Sequence, residues 1–117
     1  MMSKSFTIYH NPRCRKSREA LELLQHQCKE VKIIDYLKNP PSVEELNSII
    51  KLLGIKPEEL IRKGESIYKE SYKDKQLSDE EWIKVMVANP ILIERPIIVD
   101  GKRAVIGRPP EKVRELL

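Results

Sequence analysis

Three stretches near the start of the chain, SFTIYH (5–10), CRKSREALELLQHQ (14–27) and VKIIDYL (31–37), constrain the fold more than any other feature. The first alternates Phe6 and Ile8 with polar neighbours, the pattern of a half-buried strand. After a turn at Asn11-Pro12, the second sets Ala20, Leu21, Leu23 and Leu24 on one helical face, which predicts an amphipathic helix from about Arg13 or Cys14 to Gln27. The third is rich in β-branched residues, with Val31, Ile33 and Ile34. Strand, helix and strand in this order predict a right-handed βαβ unit with parallel strands.

The middle of the chain reads as helical. Ser42 and Glu45 form a capping-box pattern ahead of Leu46, Ile49, Ile50 and Leu53, and Gly54 supplies a stop. Pro57 opens a short segment, PEELIRK, and 64–76 reads as part loop, part helix. Ser78 and Glu81 repeat the capping pattern before a helix through Trp82, Val85 and Met86, which ends ahead of Pro90. The run RPIIVDGKRAVIGR then predicts a β-hairpin about Asp100-Gly101, and PPEKVRELL a closing helix. The order βαβ, a helical insertion at about 42–90, and ββα predicts an α/β fold over 1–117: one domain, with a four-stranded mixed sheet flanked by helices in a thioredoxin-like layout. Cys14 then lies at the carboxyl end of the first strand, where open α/β sheets bind ligands.

Composition narrows the function. With 117 residues and 40% hydrophobic content, a single packed domain is expected. No apolar run approaches the roughly 18–20 residues of a membrane span, and MMSKSFTIYH lacks the apolar core of a secretory leader, so a cytoplasmic protein without membrane contact is expected. The net charge of +4 arises from 22 basic and 18 acidic residues that interleave, and aromatics are only 5%, which argues against direct nucleic-acid binding. His10 and His26 are isolated, so no metal site or bound cofactor is expected. Two cysteines are too few for a disulfide framework. Cys14 and Cys28 also flank one helix, whose rise of about 1.5 Å per residue holds them too far apart to bond. A redox role for Cys14 needs another partner.

Cys14 carries the strongest chemical signal. The thiolate is the nucleophile, and at a helix N-terminus it faces unpaired N–H groups and the positive end of the helix dipole. Arg13, Arg15, Lys16 and Arg18 surround it, and the Ser17 hydroxyl is placed to donate a hydrogen bond to it. The same N–H groups can cradle an anion against the sulfur. The plainer reading is that Cys14 is a small buried hydrophobe, as Cys28 is expected to be incidental. His10 either orients Cys14 or is a structural residue at the strand end. Arg95-Pro96 precedes one hairpin strand and Arg108-Pro109 follows the other, so antiparallel pairing puts both arginines at one end of the sheet. Arg62 lies in the insertion. Each arginine alone is compatible with a surface cation.

Taken together, YHNPRCRKSR, LIRKGE, NPILIERPIIV and IGRPPEKV resemble the glutaredoxin-dependent, ArsC-like arsenate reductase family of the thioredoxin superfamily, over nearly the whole chain. The combination of NPxCxxS, RP before a strand and GRP after it carries the resemblance. It implies that Cys14 attacks arsenate, that Arg62, Arg95 and Arg108 hold the oxyanion, and that Pro96 is a cis proline facing the cysteine. It further implies a thiol-arsenate adduct attacked by glutathione as co-substrate, with glutaredoxin supplying the resolving thiol before arsenite leaves. One catalytic cysteine suffices for that chemistry. Two alternatives share the resemblance: an Spx-type regulator that binds RNA polymerase, and a glutathione-dependent thiol reductase of unknown substrate. Spx-type proteins often carry a CxxC pair, whereas the fourth position here is Ser17.

Overall fold

A computed structural model describes residues 5–27, 30–100, 102–108, 112, 114 and 115. Cys28, Gly101, Pro109 and most of the helix expected at 109–117 lie outside the described residues. The chain divides into two compact units, Met1–Asn39 with Arg95–Leu117, and Pro40–Glu94.

In the first unit, β1 (Ser5–His10), α1 (Arg15–Gln27) and β2 (Glu30–Asp35) form the expected βαβ unit, with β1 and β2 parallel from Ser5↔Glu30 to His10↔Asp35. The hairpin strands are β3 (Ile97–Val99) and β4 (Ala104–Ile106). β3 pairs antiparallel with β1 and with β4, which gives a four-stranded mixed sheet in the order β2-β1-β3-β4. Alternation along β1 sends Phe6 and Ile8 to one face, where they are fully buried with Ala20 and Leu24 of α1 and Ile98 of β3. Full burial of each large side chain in this cluster contributes about 1.5–3 kcal/mol.

The second strand is shorter than its hydrophobic run. It stops at Asp35 because that residue forms a turn: its carboxylate accepts from Leu37 N at 3.2 Å, and its carbonyl accepts from Lys38 N at 3.1 Å and Asn39 N at 2.9 Å. Tyr36 is nevertheless buried, 1% exposed. In the hairpin, Asp100 again closes the turn, accepting from Lys102 N and Arg103 N at 3.0 and 2.8 Å.

Gly107 follows β4 and donates to Pro96 O at 2.9 Å. A Cβ at this position would stand 3.0 Å from Pro96 Cγ, 3.1 Å from Ile98 Cδ1 and 3.3 Å from Ala20 Cβ. Gly107→Ala is therefore expected to destabilise the protein by about 1–3 kcal/mol through overpacking. Urea denaturation checks this, and an unchanged midpoint would show that the neighbours yield freely.

The second unit holds α2 (Val43–Leu53), α3 (Ser66–Ser71) and α4 (Asp79–Ala88), with 3-10 turns at Pro57–Leu60 and Pro90–Leu92. The caps follow the sequence. Ser42 Oγ accepts from Glu45 N at 3.1 Å, Gly54 ends α2 at φ 69°, and Ser78 and Glu81 complete a reciprocal box. α4 packs on α2 and on both 3-10 turns, burying Trp82, Ile83 and Met86. α3 is organised by tyrosines one helical turn apart: the Tyr68 and Tyr72 rings lie 6.4 and 6.3 Å from that of Trp82. This unit extends past residue 90 because Ile61 bridges Ile93, with Arg62 N donating to Leu92 O at 2.8 Å and Glu94 N to Leu60 O at 2.9 Å.

Candidate active site

The loop between β1 and α1 is built around Asn11, which is 5% exposed. Its carbonyl accepts from Cys14 N at 3.0 Å, its Oδ1 accepts from Arg13 N at 3.0 Å, and its own N–H donates to Ser17 Oγ at 3.0 Å. Cys14 immediately precedes α1, and its carbonyl accepts the first helical bond, from Arg18 N at 3.0 Å. It is thus the N-cap residue, half-buried, at the end of the helix where N–H groups lack intrahelical partners. That end of the helix presents N–H donors and the positive end of the helix dipole. Asn11 was legible only as part of an Asn-Pro turn; its three bonds are a product of the folded loop.

The cations around Cys14 differ in what they do. Arg15 is strongly exposed and pairs with Glu19 at 3.0 Å, so part of its charge is compensated. Arg18 donates through Nη1 to Pro12 O at 2.9 Å and thereby fastens the loop. Arg13 and Lys16 are exposed.

Ser17 has a different role from the one its spacing suggested. Rather than reaching the sulfur, its fully buried hydroxyl lies 2.6 Å from His10 Nδ1 and accepts from Asn11 N–H. The His10–Ser17 pair ties the end of β1 to the first turn of α1, so both residues support the loop from beneath. Burial of His10 pushes its pKa below 6.5; the Asp35 charge opposes this and Arg18 adds to it. Below pH 6.5 the unfolded chain then binds more protons at this position than the folded one. The stability His10 contributes is present above pH 6.5 and is lost as pH falls towards its folded value. His10→Asn, which keeps a hydrogen-bonding group near Nδ1, is expected to lose less stability between pH 7 and 5 than the natural chain. Urea melts at the two pH values check this, and equal losses would contradict it.

Arg95 and Arg108 lie at the Cys14 end of the sheet. Tyr9 pairs with Ile97 and Ile97 with Ile106, so the carboxyl end of β1, the start of β3 and the end of β4 coincide. Arg95 precedes the buried Pro96 through a cis peptide bond, and its guanidinium Nε and Nη1 are shielded from solvent. Arg108, beyond Gly107, is exposed. The first unit therefore brings Cys14, Arg95 and Arg108 to one sheet end, above His10 and Ser17.

Arg62 belongs to the second unit. Its Nη1 donates to Glu65 Oε1 at 2.9 Å, and its Nε lies 3.6 Å from Glu94 Oε1. Among the described residues, no group of three or more His, Cys, Asp or Glu side chains forms a metal-binding cluster, and no helix is long and apolar enough to cross a membrane.

Comparison with known proteins gives the same picture throughout. A family model described as the ArsC family matches residues 9–116. The chain is 47% identical to a protein of Escherichia coli K12 named uncharacterized protein YfgD, over 99% of each chain. It is 45% identical to an arsenate reductase of Haemophilus influenzae, covering 97% of this chain and 99% of that one. Among solved structures, an arsenate reductase from Vibrio cholerae superposes with a TM-score of 0.93 at 45% identity, over 99% of this chain and 100% of the other.

Proposed function

The chain belongs to the ArsC family, and on that premise we propose that it reduces arsenate to arsenite through Cys14, with glutathione and glutaredoxin as reductants in the cytoplasm. The observation that carries this reading is the half-buried Cys14 at the N-terminus of α1, on the same sheet end as Arg95 and Arg108. Relatives at 45% identity bearing the name arsenate reductase support the choice of oxyanion.

The Cys14 thiolate attacks arsenic(V) and displaces one oxygen, which leaves as water after protonation. Arg62, Arg95 and Arg108 neutralise the oxyanion with charge-assisted hydrogen bonds, and the first-turn N–H groups of α1 add further donors. Glutathione then adds its sulfur to the arsenic of the adduct, and a second oxygen leaves as water. The glutaredoxin thiol attacks the glutathione sulfur: a glutaredoxin–glutathione disulfide forms, the sulfur–arsenic bond to glutathione breaks, and its electron pair reduces arsenic(V) to arsenic(III). Water then displaces arsenite from Cys14, which returns as the thiol. One protein cysteine suffices because the second sulfur comes from glutathione.

Steady-state reduction of arsenate by the purified chain with glutathione and glutaredoxin tests the reading. Arsenite formation that requires all three supports it. No turnover, with specific binding to RNA polymerase instead, would favour the regulatory alternative.

A further inference from the structure

Glu65 stands at the N-cap of α3, yet its carboxylate makes no capping bond. It reaches back to Arg62, while Glu65 N donates to Arg62 O at 3.2 Å, so residues 62–65 close on themselves through main chain and side chain. Glu94 approaches the same guanidinium from another segment, at 3.6 Å. All three side chains are only 21–29% exposed, in contrast with the open Lys63–Glu58 pair of the same unit, at 55% and 52%. One arginine thus faces two carboxylates in a partly shielded setting. Two acceptors on one guanidinium are an unusual environment for a residue whose task is to take an anion.

We propose that Glu65 is an affinity-limiting counter-charge: it holds Arg62 in position in the free protein and competes with the oxyanion for the same guanidinium. The inference rests on the reading of Arg62 as a substrate ligand. An oxyanion that engages Arg62 must draw Nη1 away from Glu65, or share it, while repelled by Glu65 and Glu94. Glu65 therefore lowers affinity for oxyanions generally, and the site releases anions that Cys14 does not convert. Glu94, farther from the guanidinium, acts in the same direction more weakly.

Glu65→Gln separates the two roles, because the amide oxygen still accepts from Nη1 while the charge is gone. Inorganic phosphate is a suitable probe, since it matches arsenate in shape and charge and is not reduced. Protection of Cys14 from iodoacetamide by phosphate measures its affinity without any turnover. Glu65→Gln is expected to tighten phosphate about three- to tenfold, and Glu94→Gln less. Glu58→Gln, with the same change in net charge, is expected to leave it unaltered. If arsenate turnover is measurable, KM falls with the phosphate constant while kcat does not rise. Unchanged or weaker phosphate binding in Glu65→Gln overturns the proposal, as does an equal gain in Glu58→Gln. Loss of Arg62 (Arg62→Ala) without effect on protection, or a natural chain that phosphate does not protect, overturns it too. Tightening by Glu65→Gln in a chain that never reduces arsenate would leave this inference standing and sink the arsenate reading alone.

Discussion

Cys14→Ser loses arsenate reduction by more than about a thousandfold while the chain stays folded. The loss follows from nucleophilicity: a serine hydroxyl remains protonated at neutral pH and does not displace oxygen from arsenic, so the adduct that glutathione attacks never forms. The retained fold follows from position. Cys14 is the N-cap of α1, and serine is among the preferred N-cap residues because its oxygen accepts from a first-turn N–H. The variant should melt no lower than the natural chain, which separates chemistry from stability in a single substitution. Steady-state rates and thermal melts measured side by side check this. Residual activity above about a tenth would move the nucleophile elsewhere in the chain.

The next largest effects belong to Arg95 and Arg108. Arsenate carries about two negative charges at neutral pH, and removing it from water demands several charge-assisted hydrogen bonds. Guanidinium presents a planar fork, whereas lysine offers a single ammonium point charge. Arg95→Lys and Arg108→Lys should each lower turnover by roughly ten- to a hundredfold, or about 1.4–2.7 kcal/mol of barrier. The two sites differ in their settings. Arg95 holds Nε and Nη1 away from solvent, whereas Arg108 is exposed. Lys51→Ala and Lys73→Ala, at exposed positions outside the proposed site, should change turnover by less than about twofold. Small and equal effects at all four positions would reduce the arginines to surface charge.

Much of this was legible in the chain because local chemistry and fold agree. Phe6 and Ile8 alternate, Ala20 and Leu24 share a helical face, and these residues meet in one core. Ser42, Gly54 and Ser78 cap helices where their residue types predict it. Arg95 and Arg108 reach one sheet end because the hairpin between them pairs Ile97 with Ile106. Other features depend on partners that periodicity does not display. A hydrophobic run through Tyr36 and Leu37 reads as strand, but the Asp35 carboxylate turns the chain first. Ser17 sits at the spacing for a thiolate donor, yet His10 and Asn11 claim its hydroxyl. Tyr68 and Tyr72 lie in a segment that reads as part loop, part helix, and the surface they pack on is Trp82, from a separate helix. Glu65 is close to Arg62 in sequence, whereas Glu94 arrives only through the bridge between Ile61 and Ile93.

The most direct test follows the sulfur of Cys14. The chain is incubated with glutathione, with and without arsenate and in the absence of glutaredoxin, then digested and examined by mass spectrometry. Without the resolving thiol, a Cys14 adduct that carries arsenic and glutathione should accumulate, only where arsenate is present, and no arsenite should be released. A Cys14 that stays unmodified in arsenate, or gains glutathione equally without it, would contradict the assignment.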